Sequence, residues 1–420
     1  MRNNNEIKLF WKNVSVVFSG TVIAQIIPII GTIVIARIFT PASFGIFSVW
    51  FGIVMIGSIV ITGRFELALA MEKDGEPRNI GVLTILIIII TGFVIFTLAS
   101  FIGLRLNLFT TTNSNLVMLF PVTSLLLALN ATWQNWASAE GKYKELSYIR
   151  IFHSFSTLFS QIIIGIFYPK AISLALGVVI GSLFSQLFSI FKIPLQIKTH
   201  SPKIIFQNIK LFIRKHKKFF FFSLPGDSIN ATVAQLPLLI ISARFGAEIS
   251  GFLALTIRAL GAPIGLMGKS ILDVFRRQAT QAYQKYNTCR IEYMHTFKVL
   301  LVLSVSSMAV FYFFSEQIFI LVFGKEWKLS GTIAIWLLPL FALRFIASPL
   351  SYMFYLAKKQ NWDLVWQISL LVVSYIALTT PINYSNSLQL YSAGYTGLYI
   401  IYLMLSFRLT EKKADIILKQ

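Results

Sequence analysis

Charge is what this chain has least of: 13% of its 420 residues are Asp, Glu, Lys or Arg, while 56% are hydrophobic. A soluble domain carries roughly twice that charged share. Too little polar surface is left to clothe a soluble protein, so most of the chain faces lipid. Cysteine occurs once, at Cys289, which excludes an internal disulfide and a thiolate metal cluster. The four histidines, His153, His200, His216 and His295, fall at helix ends or in basic loops and read as solvated polar residues, not metal ligands. No Walker loop and no HExxH motif is present, and no constellation of catalytic residues stands out, so the chain does not read as an enzyme. Ten-residue stretches of alternating polarity are missing as well, which argues against a membrane barrel.

Long apolar runs take their place. Residues 80–103 and 173–191 carry no charge, and each is long enough to cross a hydrocarbon core of about 30 Å as a helix. Segments near 14–36, 44–63, 79–104, 115–138, 146–168, 171–191, 219–243, 250–272, 296–322, 331–356, 362–382 and 388–407 predict about twelve transmembrane helices in an all-α membrane protein. The first has no short apolar core followed by a cleavage site and is expected to stay as an anchor.

The net charge of +21 is spread over short loops. With both termini cytoplasmic, about 26 Lys and Arg fall on the cytoplasmic side, against about six on the other side. Those six are Arg37, Arg105, Lys170, Arg244, Lys325 and Lys328. This is the positive-inside pattern of a multi-pass inner-membrane protein, not a nucleic-acid surface. The densest basic stretch, 192–218, is expected to meet anionic lipid head groups and to connect two halves.

The halves follow one plan. Residues 18–69 match 222–274, IARIFTPASFGIFSV recurring as SARFGAEISGFLAL and GRFELAL falling opposite GKSILDV. LFPVTSLLLALNATW, from Leu119, lies opposite LLPLFALRFIASPLS, from Leu337. Two pseudo-symmetric six-helix lobes are expected, residues 1–191 and 219–420, as parallel repeats.

With ARIFTPASFGIFS, GRFELALAM, WQNWASAEGKYKELS, FSLPGDSIN and ISARFGAEISGFLALTIRALGAPIGLMGKSILDVF in this order, nearly the whole chain resembles the Wzx-type O-antigen and capsule flippases of the MOP (MATE-like) exporter superfamily. The resemblance implies lobes around a central cavity in the bacterial inner membrane. It implies a cargo of undecaprenyl-pyrophosphate-linked oligosaccharide, flipped from the cytoplasmic to the periplasmic leaflet, and work beside a glycan polymerase. Two other readings stand: an ion-coupled multidrug exporter of the same superfamily, and a polytopic glycan polymerase. A drug exporter for cationic amphiphiles wants acids in its lumen, and a polymerase wants a long external loop with acid/base residues; neither feature is evident.

A charge inside a span costs about 2.5–3.5 kcal/mol on insertion scales, so mid-span cations are functional candidates. Arg258 and Arg344 are the clearest. Arg258 and Lys269 share one helical face beside Ala254, Gly261, Ala262, Gly265 and Gly268, which is either a cavity wall for an anion or a small-residue packing face. Arg344, Ser348, Tyr352, Tyr355 and Lys359 form a polar stripe, with Asn130 and Gln134 matching Ser348 and Tyr352 in the first half. These side chains suit sugars or, equally, interhelical hydrogen bonds. Arg64, mate of Lys269 in the repeat, suits a pyrophosphate at the cytoplasmic mouth or, equally, a pairing with a lipid head group or with Glu66, which is two residues on and off its helical face. Arg258, Arg344, Arg64 and Lys269 are thus the candidate pyrophosphate ligands. Arg37 and Arg244 read as interfacial anchors. Asp227 is the candidate carboxylate for a coupling ion, H+ or Na+, or else the cap of a helix restarting after Pro225 and Gly226. No cofactor is expected.

Overall fold

Each long apolar run becomes a helix in the computed structural model, which describes residues 4–107, 114–195, 202–357 and 359–411. In chain order these are α1 (Asn4–Ile38), α2 (Pro41–Thr62), a 3-10 segment (Phe65–Met71), α3 (Glu76–Arg105), α4 (Ser114–Ala139), α5 (Tyr143–Phe167) and α6 (Ala171–Lys192). Next come α7 (Pro202–Lys218), a π-turn (Phe219–Ser223), α8 (Leu224–Tyr286), α9 (Arg290–Phe323), a 3-10 turn (Lys325–Trp327), α10 (Lys328–Leu350), α11 (Tyr352–Leu356), α12 (Gln360–Thr379) and α13 (Tyr384–Arg408). Among the described residues no strand forms beyond an isolated bridge between Thr288 and Glu411.

Eleven of the described helical stretches are long and apolar enough to cross a membrane. The longest contains Gly246 at φ 89°, ψ 173°, which breaks α8 into two spanning pieces and brings the number of crossings to twelve. Only a residue without Cβ takes that conformation easily. The break falls where the repeat places Phe39 and Thr40, and there Thr40 caps α2 by accepting from the Ser43 N–H at 3.3 Å, with Pro41 at the first helical position.

The chain divides into two compact units, Met1–Gln235 and Leu236–Gln420. The divide lies inside α8. The basic segment that the sequence set apart as a connector holds α7, and α7 packs on α3 as part of the first unit. The helix break expected at Pro225 and Gly226 does not occur, because α7 runs through the π-turn into α8 with Leu224 in ordinary helical conformation. Asp227 is therefore not the cap of a restarting helix.

In the first unit α5 packs on α1 and α6, and α4 on α2, α3 and α6. Small residues set these distances. A methyl added at Gly181 would lie 2.3 Å from Thr157 Cα, and one at Gly177 would lie 2.6 Å from Gln161 Cα, so the backbones of α5 and α6 touch. Hydrogen bonds run through the same seam, from Ser156 Oγ to the Gly181 carbonyl at 2.8 Å and from Gln161 Nε2 to the Leu174 carbonyl at 3.1 Å. Trp50 donates to the Leu116 carbonyl at 2.8 Å and ties α2 to α4.

In the second unit α10 packs on α9 and α13, and α12 on α13. These are the neighbours that α4, α3, α6 and α5 keep in the first unit, so the internal order of the repeat recurs. A small residue sets the distance between α9 and α10 as well, the Cβ position of Gly331 lying 2.7 Å from Glu316 Cα. Thr256 donates to the Ser330 carbonyl at 2.8 Å and Ser330 to the Phe252 carbonyl at 3.0 Å, joining α8 to α10.

Candidate functional site

The first candidate site is made by a failure of helix. Gly63 and Arg64 both take left-handed conformation, φ 58° and 61°, and end α2. For arginine this costs on the order of 1–2 kcal/mol. The chain then tightens into the 3-10 segment, and this turn brings Glu66 back onto Arg64. Arg64 NH1 lies 3.0 Å from Glu66 Oε1, and Arg64 Nε lies 2.6 Å from Asp227 Oδ2 at the start of α8. The helical rule that kept Arg64 and Glu66 on different faces does not apply, because the helix has ended between them. Glu66 is 2% exposed, Arg64 24% and Asp227 37%. Arg64 thus comes with two carboxylates already in place. In the second unit the matching Gly268 and Lys269 lie within continuous helix; the Lys269 side chain falls outside the described residues.

Next to it, two clasps tie the end of the 3-10 segment to α3, to the end of α4 and to α7. Arg78, buried, donates to the Leu69 and Glu72 carbonyls at 3.1 and 2.9 Å and pairs with Asp74 at 2.6 Å and Glu140 at 2.9 Å. Glu72 accepts from Lys215 at 2.8 Å and meets His216 Nε2 at 2.6 Å. Burial opposes the charge on Glu72, but the hydrogen bonds of Lys215 and His216 outweigh it and hold the carboxyl below its ordinary value. His216 is 5% exposed and its ring lies 4.8 Å from that of Phe212. It is a buried partner of an acid, not the solvated residue that its basic surroundings implied. His153, likewise, lies part-buried within α5. Outside these clasps α7 turns Lys210, Arg214 and Lys217 outward between exposed Phe206 and Leu211.

The second candidate site lies on α10 and α13. Arg344 is exposed on α10, its guanidinium 6.0 Å from the Phe341 ring centre. α10 packs on α13, which carries Tyr391 and Tyr399. No ion pair among the described residues includes Arg344. Tyr391, Tyr395 and Tyr399 recur every fourth residue and stack along one face at 4.6 and 6.1 Å, and the stack continues through Trp366 to Tyr402 and Phe354. The sequence reading missed this rail, although the four-residue tyrosine spacing was there to be seen. Ser348 and Tyr355 are exposed, as the polar stripe requires. Tyr352 instead packs inward, its hydroxyl 3.3 Å from Thr280 and its ring under Arg276.

The other expected residues fare unevenly. Asn130 is buried and fully used within the first unit: it donates to the Leu126 and Ser182 carbonyls and accepts from Ser185 at 2.7 Å. It joins α4 to α6 and has no group left for a sugar. Gln134 accepts from Arg150 at 3.2 Å, and Arg150 also donates to Thr21 at 2.8 Å; this arginine in α5 was not singled out in the sequence. Arg258 is half-buried and already engaged by another group, so it is not the unpaired cation that the sequence led one to expect. The glycines beside it are open: a methyl on Gly265 meets no described atom within 4 Å. Close packing is not their reason. Arg244 donates to the Leu378 and Pro381 carbonyls at 2.5 and 2.8 Å and holds the end of α12, where an interfacial anchor was expected.

Comparison with known proteins agrees on the family and the fold. The family model described as "Polysaccharide biosynthesis protein" matches residues 34–331. Curated proteins give no match. Among solved structures, the lipid II flippase MurJ in an inward closed conformation aligns with a TM-score of 0.72 at 16% identity, over 93% of this chain and 87% of that one. An inward-facing multidrug resistance MATE family transporter of the MOP superfamily gives 0.69 at 12% identity, over 92% and 94%. The MATE multidrug transporter DinF-BH, solved in a ligand complex, gives 0.61 at 16%, over 96% and 95%. The chain therefore belongs to the polysaccharide biosynthesis protein family and carries it on the multi-pass membrane fold of the MOP-superfamily transporters.

Proposed function

We propose that this protein flips an undecaprenyl-pyrophosphate-linked oligosaccharide from the cytoplasmic to the periplasmic leaflet of the bacterial inner membrane by alternating access, with both termini cytoplasmic. The observation that carries the reading is Arg344: an exposed guanidinium in a membrane-crossing helix, without a described carboxylate, beside a rail of tyrosines. A cation in that setting needs an anion, and guanidinium takes phosphate oxygens two at a time. Ser348, one turn further along α10, and Tyr355 of α11, both exposed, supply hydroxyls for the first sugars. Arg64 is the second cation offered to the diphosphate, with Arg258 and Lys269 further along α8.

A bare diphosphate cannot enter hydrocarbon, since the idealised cost per charge is of order 20 kcal/mol. A cationic path removes most of that cost. An inside-negative potential then favours outward movement of two negative charges by roughly 4–5 kcal/mol per 100 mV. Asp227, the carboxylate that the sequence offered for a coupling ion, H+ or Na+, stands on this path as the second acidic partner of Arg64. Anionic lipids are partners of α7, and a glycan polymerase is the natural recipient of the cargo.

The fold alone does not separate this from drug export, because the multidrug transporter DinF-BH shares it. Charge does: a cation exporter gains nothing from Arg344. The test is translocation in proteoliposomes with a set membrane potential, using a lipid-diphosphate oligosaccharide in one arm and a cationic dye in the other. Movement of the dye alone would overturn the reading.

A further inference from the structure

Two carboxylates share one guanidinium at the end of α2, and one of their oxygens is left over. Glu66 Oε1 holds Arg64 at 3.0 Å, while Glu66 Oε2 is buried with no hydrogen-bond partner among the described residues. Asp227 takes the other side of Arg64 at 2.6 Å. Of the charged groups on the neighbouring elements, Glu72 is held by Lys215 and His216 and Arg78 by Asp74 and Glu140, while Lys210, Arg214, Lys217 and Lys218 of α7 are exposed. What α3, α4, α7 and the π-turn add around Phe65 is apolar, namely Val82, Ile85, Trp133, Trp136, Phe212 and Phe219. Glu66 has Arg64 as its sole cation among the described residues.

We infer that Glu66 is a proton acceptor linked to anion capture. A diphosphate that takes Arg64 away leaves Glu66 as a buried anion beside Asp227 and the new negative charge. Burial and like charge both disfavour that state, and Glu66 takes up one proton from solvent, becoming a neutral carboxylic acid with a donor for its orphaned oxygen. When the diphosphate departs, Arg64 returns and the proton is released. Nothing is oxidised or reduced. The sign follows: diphosphate binding and protonation of Glu66 help each other.

This rests on the diphosphate reading above, and the experiment separates the two. Full-length protein in nanodiscs is titrated with inorganic pyrophosphate while proton uptake is followed at fixed pH; the probe's own protonation is common to all variants. Glu66→Gln, which mimics the protonated acid, is expected to bind pyrophosphate about tenfold more tightly near pH 7.5 and to lose the uptake of one proton. Asp227→Asn keeps that uptake. Unchanged uptake in Glu66→Gln, or its loss in Asp227→Asn instead, overturns the inference and leaves the diphosphate reading intact. Weaker binding together with a lower melting temperature in Glu66→Gln also overturns it and makes Glu66 a structural partner. No pyrophosphate binding by the unmodified protein sinks both.

Discussion

Arg64 and Asp227 stand 163 positions apart in the sequence and 2.6 Å apart in the structure. The pair ties the end of α2 to the start of α8 inside the first unit. Both groups are partly exposed, so its worth is about 1 kcal/mol or less. Arg64→Gln and Asp227→Asn should each lower the melting temperature slightly, and the double variant should fall by less than the sum. Strict additivity would mean that the two do not act as a pair.

Arg344 is expected to be indispensable for transport. Arg344→Gln should reduce translocation by roughly 10- to 100-fold at unchanged protein level, in line with about 1.5–3 kcal/mol for a charge-assisted hydrogen bond. Arg344→Lys should recover part of it, because lysine keeps the charge without the planar fork. Full activity in Arg344→Gln refutes the assignment.

Glu72 predicts a pH dependence. Its carboxyl is held below the ordinary value in the folded protein, so its contribution is complete above the unfolded value of about 4.3 and is lost as pH falls through the lower folded value. Docking of α7, followed by protection from a protease, should hold from neutral pH down to about 4 and then weaken. Glu72→Ala removes the partner of buried His216 and should cost on the order of 1–3 kcal/mol at neutral pH. Equal protease sensitivity in both proteins at pH 7 would contradict this.

Two glycines of like appearance in the sequence should behave oppositely. Gly181→Ala pushes a methyl into the α5 backbone and should destabilise by about 1–3 kcal/mol, whereas Gly265→Ala enters open space and should leave the melting temperature unchanged. A similar loss at both positions would show that Gly265 is packed after all.

Topology is open to thiol labelling. The native Cys289 is buried, and burial pushes its thiol up to about 12, so it stays silent. Cysteines introduced at Ser201 and Asn386 should react from opposite sides of the membrane, Ser201 from the cytoplasm. Reaction of both from outside would overturn the proposed topology.

The spans were legible because twelve apolar runs leave the chain little else to do; most of their ends agree with the helices to within several residues, although α1 begins at Asn4 and α8 runs on to Tyr286, well beyond the apolar runs, and the repeat in the text reappears as repeated neighbours. The sites were less legible. Arg64 and Glu66 looked separated because helical spacing was assumed past Gly63, where the backbone turns left-handed. Asn130 read as a sugar ligand because a polar side chain on an apolar helix has two uses, and only the positions of Ser182 and Ser185 decide between them. The tyrosine rail on α13 was overlooked since no charge drew attention to it. What sequence conveys well is periodic burial; which partner a polar group finds depends on contacts dozens of residues away.

Gly246 leaves the two halves of α8 joined by a single residue, and this bears on how the molecule comes apart. A helix pulled from a bilayer must expose its backbone to hydrocarbon unless it keeps its turns until water can take over. Where a loop separates two spans, the loop supplies slack and the spans leave one at a time. Here there is no slack, so tension on the first piece is delivered at once to the second. In a single-molecule pulling record the two should leave as one hairpin, in one force peak, and a tag inserted at Gly246 should unsettle both.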